Sequence, residues 1–304
     1  MSDIKLFRIN GSQAVQLEGQ SVALEKSLQT LIETHLDVFL GIRFLCTEYS
    51  TGKTQPGRID SLGIDENGCP CIVEYKRSSN ENVINQGLYY LDWLLDHKGE
   101  FQLLVLNQFG KEVADNIEWS SPRLLCIAGD FNKYDAHAVQ QINRNIELLR
   151  YKKFGNDLLM LELVNAVQAT AEHVISISPK KPPKDYDAEL AYQLAQTSES
   201  LRDLYESFKD TCLAFGDDVQ VKTLKKYVAF KRIKNFATVE IKHGLNTLQV
   251  CIKVDPDSIV LEEGFTRDVR EVGHWGTGDL AITLKNQADL IKAMPLLQKS
   301  YEIS

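Results

Sequence analysis

Gly57-Arg58-Ile59-Asp60-Ser61-Leu62-Gly63-Ile64-Asp65, followed shortly by Cys71-Ile72-Val73-Glu74-Tyr75-Lys76, is the stretch from which the first half of the chain is read. Arg58–Ile64 and Cys71–Lys76 have strand character, and Asp65-Glu66-Asn67-Gly68 between them is a hairpin-turn signal. In such a hairpin Asp60 and Glu74 stand on adjoining strands. Glu74 and Lys76 are two residues apart and leave the same face with Ile72, whereas Val73 and Tyr75 point to the other. A bare Glu-x-Lys pair on a strand is ordinarily a solvated surface. Here the Gln86–Leu95 segment, rich in apolar residues, is expected to cover the sheet as a helix, and charges near an interior need compensation. Two carboxylates at oxygen-ligand distance form a hard site suited to Mg²⁺ or Mn²⁺, completed by a backbone carbonyl (that of Tyr75) and waters. Lys76 would then orient the attacking water and offset charge growing on a scissile phosphate.

Working outward, Ile4–Ile9 reads as a short strand. Ser21 is placed to cap a helix whose apolar positions Leu24, Leu28, Leu31, Ile32 and Leu36 follow the 3.6-residue period. Ile42–Tyr49 reads as a strand and Asn82–His97 as a helix. Phe101–Leu106 and Leu124–Ala128 are apolar runs of strand length on either side of a helix near Lys111–Asn116. Together they predict an α/β domain over residues 1–175, a mixed sheet flanked by helices. Ser176–Glu189, with three prolines and three lysines in Pro179–Lys184, reads as a linker. Residues 190–304 read as a smaller α+β domain. It has a helix around Ser200–Ala214, strands at Val219–Thr223, Tyr227–Lys231, Ala237–Lys242, Thr247–Val254 and Asp279–Leu284, and a last helix over Gln287–Gln298 that Pro295 would kink or shorten.

Asp60 with Glu74-Tyr75-Lys76 resembles the motif of the PD-(D/E)XK nuclease superfamily. Gly57-Arg58-Ile59-Asp60 with its hairpin is similar to the NucS-like branch, whose members include archaeal mismatch endonucleases. The resemblance implies a restriction-endonuclease-like core in the order α-β-β-β-α-β, matched to the elements over roughly residues 20–106. Ile59 stands where the motif has proline, a position that is not a metal ligand. Gln86 and Tyr90 form a Gln-x-x-x-Tyr pair on one helical face, similar to a motif of RecB-like members, which implies a place near the active site and contact with DNA. The plain alternative is a surface glutamine beside a core tyrosine. The superfamily often supplies a glutamate from the upstream helix to the metal. Glu25, Gln29 and Glu33 share a stripe there, with Glu25 the choice, Glu33 the fallback, and solvated helix charges the alternative. Glu48 is read as pairing with Arg58 or facing substrate, without a catalytic role.

The resemblance therefore implies a Mg²⁺- or Mn²⁺-dependent endonuclease hydrolysing DNA phosphodiester bonds in repair, restriction or phage defence. Asp60, Glu74, Lys76, Gln86 and Tyr90 would act in catalysis, and Asp60, Glu74, Tyr75 and Glu25 would hold the metal. A homodimer fits, since such nucleases often pair to cut both strands. Two other readings stand beside it: a catalytically silent module binding nucleic acid or a protein partner, and an adaptor working through the C-terminal domain.

The composition sets outer bounds. The 304 residues carry 34 Lys+Arg against 42 Asp+Glu, a net charge of −8, which argues against a protein that coats nucleic acid non-specifically but permits a local basic groove. Such a stretch is Lys222–Lys242, where Lys225, Lys226, Lys231, Arg232 and Lys234 are candidate nucleic-acid contacts, with Tyr227, Phe230 and Phe236 interleaved as stacking rings. The alternative is core aromatics with lysines solvating an outer face. Gly273-His274-Trp275-Gly276-Thr277-Gly278-Asp279 reads either as an exposed recognition edge or as a tight turn with its tryptophan tucked inside. Leu201–Glu302 as a whole resembles an uncharacterised domain family that follows NucS-like nuclease domains. The six cysteines form no framework, and Cys69 and Cys71 have no second pair at zinc spacing, so a reducing cytoplasm is expected. No apolar run reaches membrane-spanning length, the N-terminus has no secretory pattern, and no phosphate loop, dinucleotide fingerprint or nucleophile elbow occurs.

Overall fold

The computed structural model describes residues 4–21, 25–53, 55–76, 83–167 and 186–304. The chain divides into two units, Met1–Lys181 and Pro182–Ser304. Residues 176–185, most of the expected linker, lie outside the described residues, and from Tyr186 the chain is helical.

The first unit opens with a hairpin of β1 (Leu6–Asn10) and β2 (Gln13–Leu17), then β3 (Gly19–Gln20). The single helix expected to start near Ser21 is two, α1 (Glu25–Thr34) and α2 (Leu36–Leu40), and the expected helical position Leu24 lies outside the described residues. Next come β4 (Ile42–Ser50), β5 (Arg58–Asp65), β6 (Pro70–Lys76), α3 (Val83–Asp96), α4 (Lys98–Phe109), α5 (Lys111–Asp115), β7 (Arg123–Ala128), α6 (Lys133–Gln140), β8 (Asn145–Phe154) and β9 (Leu158–Val167). These strands form one seven-stranded mixed sheet in the order β3-β8-β7-β6-β5-β4, with β9 on β8. β6, β7 and β8 are parallel and the other pairings antiparallel.

The expected strand Phe101–Leu106 is instead part of α4. Its buried residues are Phe101 and Val105, four apart as one helical face requires, while Leu103 and Leu106 face solvent. The strand that follows the hairpin and α3 in the sheet is therefore β7, so the α-β-β-β-α-β order ends at Ala128 and not near residue 106. Three strands that the sequence reading missed, β3, β8 and β9, complete the sheet.

The β5–β6 hairpin has the expected form. Asp65 Oδ1 accepts hydrogen bonds from the backbone N–H groups of Asn67 and Cys69, and Gly68 takes φ +77°, a conformation glycine adopts without strain. Leu62 pairs with Ile72, and both join Val83, Leu91 and Leu94 of α3 in one hydrophobic core. On the opposite face Ser61 donates to Glu33 of α1 at 2.6 Å, and its hydroxyl also lies in hydrogen-bond contact with that of Tyr75 at 3.1 Å. The sheet is thus covered by α3 on one side and α1 on the other.

The second unit is a six-stranded antiparallel sheet with helices. Its elements are α7 (Tyr186–Ala195), α8 (Glu199–Leu213), β10 (Gln220–Thr223), β11 (Val228–Lys231), β12 (Asn235–Lys242), β13 (Thr247–Ile252), β14 (Thr266–Asp268), β15 (Leu280–Leu284) and α9 (Gln287–Glu302). The sheet order is β10-β11-β12-β13-β15-β14. Its core joins Phe208 and Cys212 of α8, Phe230, Val239, Val250 and Ile282 of the sheet, and Leu290 and Leu297 of α9. α9 runs on past Pro295 to Glu302, four residues beyond the expected end. No helix among the described residues is long and apolar enough to cross a membrane.

Candidate functional site

The hairpin register sets Ser61 opposite Val73, so the next pair outward is Asp60 and Glu74, side by side on the face under α3. Their side chains interlock with the opposing backbone. Glu74 Oε1 accepts from Asp60 N–H at 3.1 Å, and Asp60 Oδ2 accepts from Tyr75 N–H at 3.0 Å. Glu74 has no exposed surface, and its second oxygen, Oε2, has no hydrogen-bond partner among the described residues. A buried carboxylate oxygen left in this state is costly unless the group is protonated or a cation arrives.

The electrostatics agree. Burial, with the Asp60 charge next, pushes the Glu74 carboxyl up to about 9. Burial likewise raises Asp60 to about 6, against the pull of the Tyr75 N–H and of Lys76. Lys76, the third expected residue, lowers both carboxyls through its charge and forms an ion pair with Glu25 of α1 at 3.3 Å. Asp60, Glu74, Lys76 and Glu25 therefore converge. The Tyr75 ring is fully buried on the α1 face, so only its backbone is available to a ligand on the Glu74 side. Glu33, the fallback, belongs to the Ser61 network on that same α1 face.

Gln86 and Tyr90 lie at the start of β5. Tyr90 is buried, and its hydroxyl accepts from Arg58 N–H at 3.1 Å and from Gln86 Nε2 at 3.4 Å. Its ring lies against Gly57, where a Cβ would come within 2.5 Å of it. In this state the tyrosine clamps the entry to the strand that carries Asp60, and Gln86 holds the clamp. Glu48, at φ +52°, pairs with Arg58 and Lys26, as one of its two readings had it.

Sequence reasoning missed Gln29. It is 4% exposed, and its amide donates to the Asp60 carbonyl at 2.8 Å, to Thr47 Oγ1 at 3.1 Å and to Glu33 at 2.9 Å. Its place between Glu25 and Glu33 on one helical stripe was the available signal, but a role exercised through a backbone carbonyl leaves no trace in residue type.

A hard divalent cation fits this donor set: two adjoining carboxylates, one with an orphaned buried oxygen. Soft-metal ligation does not, since burial holds the neighbouring Cys126 thiol protonated. Among the described residues no group of three or more His, Cys, Asp or Glu side chains is arranged to hold a metal. A cation here would draw its other ligands from backbone carbonyl and water.

Comparison with known proteins adds sequence relatives. Residues 191–304 match a family model described as a domain of unknown function, DUF5655. The chain is also similar to a Haemophilus influenzae protein described as "Uncharacterized protein", 29% identical over 305 residues, covering 98% of this chain and 99% of that one. No solved structure matches.

Within the DUF5655-like region the five candidate basic residues are dispersed. Lys225 and Lys226 are exposed, Lys231 is 4% exposed, and Lys234 is half-buried. Arg232 is taken up by Asp218 at 2.7 Å and by the Tyr301 ring. Phe230 and Phe236 are fully buried core residues, which corrects their reading as stacking rings: the strand face they share points at α8 and α9. Trp275, by contrast, is 47% exposed and not tucked inside.

Proposed function

We propose that the first unit is a divalent-metal-dependent nuclease of the PD-(D/E)XK type, hydrolysing phosphodiester bonds of DNA. The observation that carries this reading is the unpartnered, fully buried Glu74 Oε2 beside Asp60, with Lys76 within electrostatic reach of both. The order α1-β4-β5-β6-α3-β7 around it, with α2 inserted after α1 and α4 and α5 before β7, supports the same reading.

Asp60 and Glu74 would hold Mg²⁺ or Mn²⁺, with the Tyr75 carbonyl as a third ligand and Glu25 in support. The cation would supply Lewis-acid stabilisation of charge on the phosphate. Lys76, released from Glu25, would hydrogen-bond a non-bridging phosphate oxygen and orient the incoming water. Gln29, through the Asp60 carbonyl, and Tyr90, through the Arg58 N–H, keep β5 in register with β6 so that the two carboxylates stay adjacent. Water adds to phosphorus and gives up one proton to solvent as the bond to the leaving oxygen breaks, and the leaving oxygen takes a proton from solvent.

The test is a panel of labelled single-stranded, duplex and branched DNA and matching RNA, incubated with Mg²⁺ or Mn²⁺. DNA cleavage that requires metal and disappears in Asp60→Asn and Lys76→Ala supports the proposal. Cleavage retained by either variant, or absent from wild type on every substrate, refutes it.

A further inference from the structure

The second unit has a built surface of its own, independent of the nuclease reading. β10 and β11 set Gln220 opposite Lys231 and Lys222 opposite Ala229, so both lysines leave the face turned away from the helices. Lys222 is 8% exposed and Lys231 4%, and the two residues stand one diagonal step apart on that face.

The loop between β14 and β15 folds over this face and is pressed hard onto it. Gly276 sits at φ +92°, where a Cβ would lie 2.0 Å from Thr238 Oγ1, and Gly278 at φ +123°, where it would lie 2.3 Å from the Ile252 carbonyl. Only glycine permits both the backbone angles and the approach. Asn235 Nδ2 ties the loop down through Thr277 Oγ1 at 3.1 Å. Beneath it, the Thr238 hydroxyl is buried without a hydrogen-bond partner among the described residues.

This anchored loop presents Trp275 to solvent, with the Lys226 ammonium 5.7 Å from its ring centroid. Lys226 and Lys225 are exposed, and neither makes an ion pair among the described residues. A large ring held out on a rigid support loses little entropy on stacking, and lysines at its edge match phosphates spaced along a strand.

We infer that the second unit binds single-stranded nucleic acid, with Trp275 as a base-stacking platform and Lys225 and Lys226 as phosphate contacts. A duplex is a poorer ligand, because its bases already stack on one another and present no free ring face.

Fluorescence anisotropy of the full chain in EDTA, so that metal-dependent chemistry plays no part, tests this with fluorescein-labelled oligothymidylate of about 20 nucleotides and a duplex of equal length. The expected result is preference for the single strand, about a tenfold loss of affinity in Trp275→Ala, and affinity within about threefold of wild type in Trp275→Phe. Lys226→Gln should lower the slope of log Kd against log salt by about 0.7. Trp275 is exposed, so its substitution removes no core contact, and unchanged thermal unfolding of each variant checks this. Absence of binding by wild type, preference for duplex, or wild-type affinity in Trp275→Ala would each overturn the inference.

Discussion

Replacing Glu74 by Gln should stabilise the metal-free protein, the reverse of what removing a buried, hydrogen-bonded side chain usually does. The folded carboxyl is raised to about 9 by burial and by Asp60, whereas a free glutamate titrates near 4.5. A raised folded value means that the native state holds a proton the unfolded chain has lost. The associated stability is complete below about pH 4.5 and drains away as pH rises towards about 9. At about pH 7.5 the cost to the folded state is about 4 kcal/mol. Glutamine carries no such linkage and keeps the oxygen that accepts from Asp60 N–H. Its buried amide nitrogen gives back roughly 1–3 kcal/mol, leaving a net gain of about 2 kcal/mol. For a unit of this size that is a rise of about 5 °C in the Tm of the first unit, read by calorimetry in EDTA at pH 7.5. The gain should vanish at about pH 6 and turn into a loss at about pH 5, where the fixed cost of the buried amide outweighs the remaining linkage. Added Mg²⁺ should raise the Tm of wild type and leave Glu74→Gln unmoved. A Glu74→Gln protein less stable than wild type at pH 7.5 in EDTA would refute the reasoning, because Glu74 would then be a satisfied structural group.

Further outcomes follow from the same geometry. Removing the Gln29 side chain in Gln29→Ala should weaken Mg²⁺ affinity several-fold by freeing the Asp60 backbone, while Thr30→Ala on the exposed side of α1 should not; calorimetric titration of the two variants checks this. Arg123→Met should cost the first unit about 3–5 kcal/mol in urea unfolding, because Asp65 and Glu147, both nearly inaccessible, lose their common cation. In Gly87→Ala the new methyl carbon would stand 2.4 Å from Leu124, so the urea midpoint should fall by the equivalent of about 1–3 kcal/mol. Metal affinity of wild type should rise roughly tenfold per pH unit between about 7 and 9, where Asp60 is already ionised and the ion displaces the Glu74 proton.

The hairpin that bears the site was legible because its signals are local: alternation along two strands, an Asp-Glu-Asn-Gly turn, and an i, i+2 pair on one face. The stretch Phe101–Leu106 misled for the opposite reason. Six residues of mostly apolar character fit a strand or a helix equally, and only the burial of Phe101 and Val105 four apart settles the period. β8 was hidden by its charges. Glu147 and Arg150 interrupt the apolar pattern, yet both are buried, through Arg123 in one case and through Asp130 and Glu162 in the other. Those partners lie far along the chain. In the second unit the lysine and aromatic spacing looked like one surface, but strand alternation sends Phe230 into the core and Lys231 to the opposite face. Trp275 was left open by the sequence, since a glycine-flanked ring can turn either way; in the structure it is half exposed.

The pairing of Asp60 with Glu74 as a cation site is most directly measured by isothermal titration of Mn²⁺ into the full chain at pH 7.5, in two buffers of different ionisation enthalpy. One ion per chain should bind with release of about one proton. Neither Asp60→Asn nor Glu74→Gln should give a measurable heat at the same concentrations. Binding of equal affinity in either variant, or no binding to wild type, would contradict the account.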